Sequence, residues 1–226
     1  MTLDDLLAGA GGARMNDAER PDEDLVQAIR RSLAQEDWVR GDEQFALLVH
    51  RYRGRVFRLA MSVLGPGASA EAEDVTQEVF LRVYRRLDTF RSESRFSTWL
   101  YRIAYRRAID FRRTARLRLP RTTDEILEAW SDQPDGATNP LGQALSRERA
   151  LSTHSAVHAL KEPYRSTLYL HYWLGLGVDE IAALRGVAPG TVKSWLHRAR
   201  AKVEHLLSEP RGFGRLGLLF QKERQP

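Results

Sequence analysis

Several side chains in this sequence have the type and spacing to hold a polyanion. Between Phe96 and Arg113, the residues Tyr101, Arg102, Tyr105, Arg106, Arg112 and Arg113 fall on one side of a helical repeat. Phe96, Leu100, Ile103, Ala104 and Phe111 fall on the other and form the expected buried stripe. Arginines supply charge for phosphates, and flat aromatic rings supply platforms for unstacked bases, which is the chemistry of single-strand capture. An ordinary amphipathic surface would carry the same pattern, and both readings stand at this level. In the segment before it, Asp74, Gln77, Glu78, Leu81 and Arg85 share a face opposite Val75, Val79 and Val83. A leucine framed by carboxylates suits docking to a basic helical partner, although a solvated charged face is the commoner meaning.

A further group lies in the stretch Val178 to Arg200. A short helix with Ile181, Ala182 and Leu184 inward meets Gly186, which can take a left-handed turn, and a second helix starts around Pro189. Val192, Leu196, Ala199 and Val203 form the inward stripe of that second helix, so Thr191, Lys193, Ser194 and Arg198 face outward near its N-terminal end. This is the layout of a helix-turn-helix whose second helix enters a DNA major groove, where lysine and arginine reach guanine or phosphate. A helical hairpin with a solvated basic face is the alternative. Trp195, beside the inward stripe, reads equally as a core aromatic or as a DNA contact.

The elements that must position these groups are helices throughout. Phe45, Leu48, Val49, Tyr52, Val56, Leu59, Ala60 and Val63 recur at helical spacing until Gly65-Pro66-Gly67 stops the run. Second and third helices are expected from about Ala70 to Leu87 and from Phe96 to Arg113, with the polar loop Arg91-Ser92-Glu93-Ser94-Arg95 between them. Strand signals are essentially missing, so the fold class is all-α: two small helical domains joined by a flexible linker. The expected boundaries are an N-terminal extension over 1–40, partly flexible; a first domain over 41–115; a linker over 116–145; a second domain over 146–208; and a tail over 209–226. Pro163 is placed to open a helix that runs through Trp173.

Bulk properties narrow the function. The chain has 226 residues, a net charge of +5 and 29% charged side chains, and its acids and arginines are segregated along it. Such segregation suggests separate surfaces for separate partners. The absence of cysteine excludes disulfides and thiolate metal sites. No apolar run approaches the roughly 20 residues of a membrane span, and no secretory signal is evident, so no membrane insertion and a cytoplasmic location are expected. His154, His158 and His171 show no spacing of a triad or metal site, and no catalytic residue, metal or cofactor is expected.

Several motifs together resemble a known family. Asp74-Val-Thr-Gln-Glu-Val-Phe-Leu-Arg-Val-Tyr, Phe96-Ser-Thr-Trp-Leu-Tyr-Arg-Ile-Ala, Glu180-Ile-Ala and Gly190-Thr-Val-Lys-Ser resemble regions 2 and 4 of extracytoplasmic-function (ECF) sigma factors, in order and spacing, over nearly everything from Gly41 to Leu207 except the linker. The resemblance implies a non-enzymatic subunit that binds core RNA polymerase and promoter DNA and has an anti-sigma factor as a further partner. It assigns Asp74, Gln77, Glu78, Leu81 and Arg85 to the polymerase. It assigns Arg91, Ser92, Glu93, Ser94, Arg95, Phe96, Trp99, Arg102, Tyr105 and Arg106 to the −10 element, where a base is trapped from the melted strand. Thr191, Lys193, Ser194, Trp195 and Arg198 would read the −35 element as duplex. The chain departs from the family at Arg106 and Arg107, where asparagine and leucine are usual, and at Trp195, where arginine is common; these departures bear on the −10 contacts and the −35 preference. Two other functions compete: a free-standing regulator built on the helix-turn-helix, which leaves the first domain without a task, and an enzyme acting on nucleic acid.

Overall fold

The structure is a computed structural model in which residues 20–114 and 152–208 are described. The expected linker, the tail and the start of the chain lie outside the described residues. All regular elements among those residues are helical. The described residues divide into two compact units, one of residues 20–60 with Ala70–Thr114, the other of Met61–Ser69 with residues 152–208.

The first unit opens with α1, Asp22–Ala34, inside the stretch expected to be an extension. Its first turn carries Asp22, Glu23 and Asp24, which the positive helix N-terminus favours. Leu25, Val26 and Ile29 follow at helical spacing and are fully buried, so α1 is part of the core rather than an appendage. α2, Trp38–Leu64, buries the whole stripe expected from Phe45 to Val63 and ends where Gly65 takes a φ of 112°. It meets α1 through a buried polar contact, Ser32 Oγ donating to Gln44 Oε1 at 3.2 Å. α3, Ser69–Arg85, turns Val75, Val79 and Val83 inward, each fully buried and each stabilising the unit by about 1.5–3 kcal/mol relative to exposure. Tyr84 locks α3 to α2: its ring meets Phe45 edge-on at 5.0 Å and its hydroxyl donates to Asp42 at 2.6 Å. Burial and then the Asp42 carboxylate push that phenol up, so it stays a donor. A single 3-10 turn, Leu87–Thr89, leads through the loop to α4, Phe96–Thr114.

In the second unit a helix covers 152–159 (α5). The helix expected from Pro163 to Trp173 begins one residue later, with Pro163 just ahead of α6, Tyr164–Leu168, and then loosens into a π-helical turn, Tyr169–Trp173, whose end rings stack at 5.8 Å. α7, Val178–Arg185, is capped by Glu180, whose carboxylate accepts the Gly177 N–H at 2.8 Å. Gly186, at φ 68°, reverses the chain, and α8 runs from Pro189 to Ser208. Ile181, Ala182, Leu184, Val192, Leu196 and Ala199 are buried as expected, and Val203 is half-buried.

His158 is buried in this unit, and burial, with the Arg165 guanidinium and His154 beside it, pushes its imidazole down to about 3. The ring is therefore neutral in the fold but takes a proton near pH 6.5 once the chain unfolds. Stability from the neutral ring is complete above pH 6.5 and is lost as pH falls toward 3, because the unfolded chain then binds the extra proton. Denaturant titrations should lose about 2–3 kcal/mol between pH 7 and 4.5, and His158→Gln should flatten that dependence.

Candidate nucleic-acid interface

Three surfaces carry the residues singled out from the sequence. On α3, Asp74 and Arg85 are exposed and Gln77 and Leu81 are half-exposed. Glu78 behaves differently. Its carboxylate pairs with Arg82 one turn on and with Arg107 of α4. Burial alone would raise its carboxyl, but the hydrogen bonds from Arg107 and Arg82 outweigh that and hold it below the usual carboxylate range. Glu78 is thus a strut between α3 and α4. The same pairing accounts for Arg107, which the repeat puts on the inward side: its charge meets Glu78 and its guanidinium lies 5.4 Å from the Phe111 ring centre.

The second surface is the loop at 91–95 with the adjoining face of α4. Arg91, Ser92, Glu93 and Arg95 are exposed and Ser94 is half-buried. Two of the residues assigned to the −10 element face inward. Phe96 is 1% exposed and Tyr105 6%, so neither ring is offered to solvent; Tyr101 is buried too, edge-on to Tyr52 at 6.1 Å. The tyrosines face inward because α4 packs against more of the unit than one amphipathic stripe implies. Asp22 at the start of α1 accepts the Tyr52 hydroxyl and pairs with Arg51, closing that side. Conversely Ile103 and Phe111, expected in the core, are only half-buried.

What remains outward is a strip spaced at three and four residues, Arg95, Trp99, Arg102 and Arg106, with Arg113 seven residues further on. Trp99 is half-buried, its indole braced by Phe90 at 5.4 Å and Phe96 at 5.9 Å. A rigid flat ring flanked by exposed guanidinium groups can stack an unpaired base while the arginines hold its phosphates.

On the third surface Lys193 and Arg198 are exposed on α8, with Thr191 and Ser194 half-buried beside them. His197 and Arg200 extend the exposed face. Trp195 is half-buried, and the Arg185 guanidinium lies 4.8 Å from its ring centre. That guanidinium also donates to Glu162 at 2.7 Å, to the Pro163 carbonyl at 3.2 Å, to Ser166 Oγ at 3.1 Å and to Thr167 Oγ1. The Trp195 ring thus packs against the arginine that ties α6 to α7. Arg185 and Glu162, like Glu23 and Arg30 of α1, belong to pairings that no local pattern in the sequence marks. The acidic turn at Asp22 to Asp24 followed by Leu25, Val26, Ala28 and Ile29 at helical spacing was the available signal for α1.

Among the described residues no helix is long and apolar enough to cross a membrane, and no cluster of His, Asp or Glu is arranged to hold a metal ion.

Comparison with known proteins agrees with this architecture. The family model for sigma-70 region 2 matches residues 48–118 and that for sigma-70 region 4 matches 151–203. The ECF RNA polymerase sigma-E factor of Escherichia coli is 35% identical over 171 residues, which are 74% of this chain and 88% of that protein. The RNA polymerase sigma-H factor of Pseudomonas aeruginosa is 33% identical over 195 residues, 84% of this chain and 95% of the relative. Among solved structures, CnrH in complex with the cytosolic domain of CnrY shares the fold at a TM-score of 0.52 and 24% identity, covering 84% of this chain and 98% of that one. With two helical units, an exposed helix-turn-helix and relatives matched over most of their length, the chain belongs to the ECF family of sigma-70-type RNA polymerase sigma factors.

Proposed function

We propose that this chain directs core RNA polymerase to promoters, reading a −35 element as duplex with α8 and capturing the −10 element once its strands part. The observation that carries the reading is the pairing of two differently built basic surfaces in one chain. One is a bare helix suited to a groove; the other is a braced indole among arginines suited to unstacked bases. Taking a base from the stack costs a few kcal/mol, and stacking at about 1–3 kcal/mol per base, with phosphate contacts from Arg95, Arg102 and Arg106, offsets it. The duplex is thereby biased toward its open form, with no covalent step by this subunit, which is not an enzyme and acts in the cytoplasm.

The α3 face, with Asp74, Gln77, Leu81 and Arg85, meets the polymerase; Glu78 supports that face from behind. The domain over 41–115, extended back to Asp22 by α1, handles polymerase and the −10 element, and 146–208 the −35 element through Thr191, Lys193, Ser194 and Arg198. A solved structure similar to this chain, the sigma factor RpoE in complex with the anti-sigma factor NepR from Bartonella quintana, supports an anti-sigma protein as a further partner.

The division of labour is testable by substitution. Gln77→Ala with Leu81→Ala should weaken association with core polymerase and leave α8 intact. Lys193→Ala and Arg198→Ala should keep association, lower promoter affinity, and each reduce the slope of log affinity against log salt by roughly 0.9 where a phosphate contact is lost. Equal loss of both functions in every variant would contradict the partition.

A further inference from the structure

Both ends of the 91–95 loop are held by α1. At the downstream end Phe96 opens α4 with an N–H that has no partner within its own helix. Arg95, exposed, supplies no cap, and the acceptor is instead Glu23 Oε1 at 3.2 Å, from 73 residues away. A carboxylate there also meets the positive end of the α4 dipole. At the upstream end the Arg30 guanidinium donates through Nη2 to the Asp88 carbonyl at 3.2 Å and through Nη1 to the Phe90 carbonyl at 3.3 Å. Glu23 and Arg30 are seven residues apart, which puts them two turns apart on one face of α1, a span of about 10 Å. The helix that carries them is anchored by Leu25, Val26 and Ile29 in the core and by Asp22 on Arg51 and Tyr52. Ser92 inside the loop sits at φ 58°, a left-handed conformation unusual for a residue with a side chain. A five-residue connection tied at both ends, with one residue already in that region, is ordered before any ligand arrives, and pre-ordering removes a cost that binding would otherwise bear.

We infer that Glu23 and Arg30 are positioning residues for strand opening: they hold the 91–95 loop in its capturing geometry without touching DNA. Glu23 acts through the Phe96 N–H, and Arg30 through the carbonyls of Asp88 and Phe90. The inference rests on the reading above that this loop faces the melted −10 strand.

The test uses the full chain with core polymerase on a promoter selected by the wild-type holoenzyme, with opening followed by permanganate reactivity of −10 thymines. Glu23→Ala should slow opening about tenfold, the effect of one charge-assisted hydrogen bond, while association with core stays within about twofold of wild type. Glu23→Gln, whose amide oxygen still accepts from Phe96, should open almost as fast as wild type. Arg30→Ala should behave like Glu23→Ala. Placing an abasic sugar at the captured position should slow the wild type but add little to Glu23→Ala, a coupling that a general loss of stability would not produce. Wild-type opening by Glu23→Ala would overturn the inference, as would parallel loss of opening and core association with Glu23→Gln equally damaged. A wild-type holoenzyme that opens no promoter would instead sink the underlying reading, and the inference with it.

Discussion

Arg185→Ala is expected to destabilise the second unit by about 3–5 kcal/mol, a large share of the 5–15 kcal/mol that holds an ordinary domain together. The side chains of Arg185 and Glu162 are 6% and 12% exposed, so removing one leaves the other charge buried without its counterion. Arg185 also ties the Pro163 carbonyl and the hydroxyls of Ser166 and Thr167 to α7, and it covers the Trp195 ring. Its loss therefore removes a polar tie shared by α6, α7 and α8, although their buried apolar contacts remain. Circular dichroism melts of the second unit's transition should report the drop, and duplex affinity should fall with it although Arg185 is not among the outward residues of α8. Arg185→Lys should recover only part of the loss, because an ammonium cannot serve the carboxylate, the carbonyl and both hydroxyls in the planar array a guanidinium provides. A melt unchanged by Arg185→Ala would refute this account of the helix-turn-helix.

Trp99→Leu should slow promoter opening by roughly 10- to 100-fold, the equivalent of one base-stacking contact of about 1–3 kcal/mol, while leaving core association and the melt of the first unit almost unchanged. Leucine still fills space against Phe90 and Phe96 but offers no flat face. Trp99→Tyr should retain most of the opening rate. Tyr105→Leu, by contrast, should act on stability and not on opening kinetics, because that ring is buried. This pair separates the strip seen in the structure from the one drawn on the sequence.

How much was legible follows from what each feature depends on. The stripe from Phe45 to Val63, the stop at Gly65, and the turn at Gly186 between α7 and α8 depend on local repeat and backbone permissiveness, and both are written in neighbouring residues. The orientation of α4 was half legible: the repeat separates two faces, but Tyr101 and Tyr105 were assigned to solvent because nothing local reveals that α1 and α2 close that side. The ties that matter most for function were not legible at all. Glu23 to Phe96, Arg30 to Phe90 and Arg185 to Glu162 join positions 73, 60 and 23 residues apart, and pairings at such separations leave no periodic trace. Glu78 illustrates the consequence: the repeat puts it beside Gln77 on α3, yet its carboxylate is spent on Arg82 and Arg107. The π-helical turn at Tyr169–Trp173 is of the same kind, a local loosening without a sequence signature.

The central claim is that this chain acts through RNA polymerase and not by itself. The most direct measurement is transcription on a promoter library by core enzyme with and without the purified chain, beside duplex binding by the chain alone. RNA chains should start at a discrete set of sites only when both proteins are present, and duplex binding by the chain alone should be weak. Tight, sequence-specific duplex binding without polymerase, together with no new start sites when core is added, would contradict the claim.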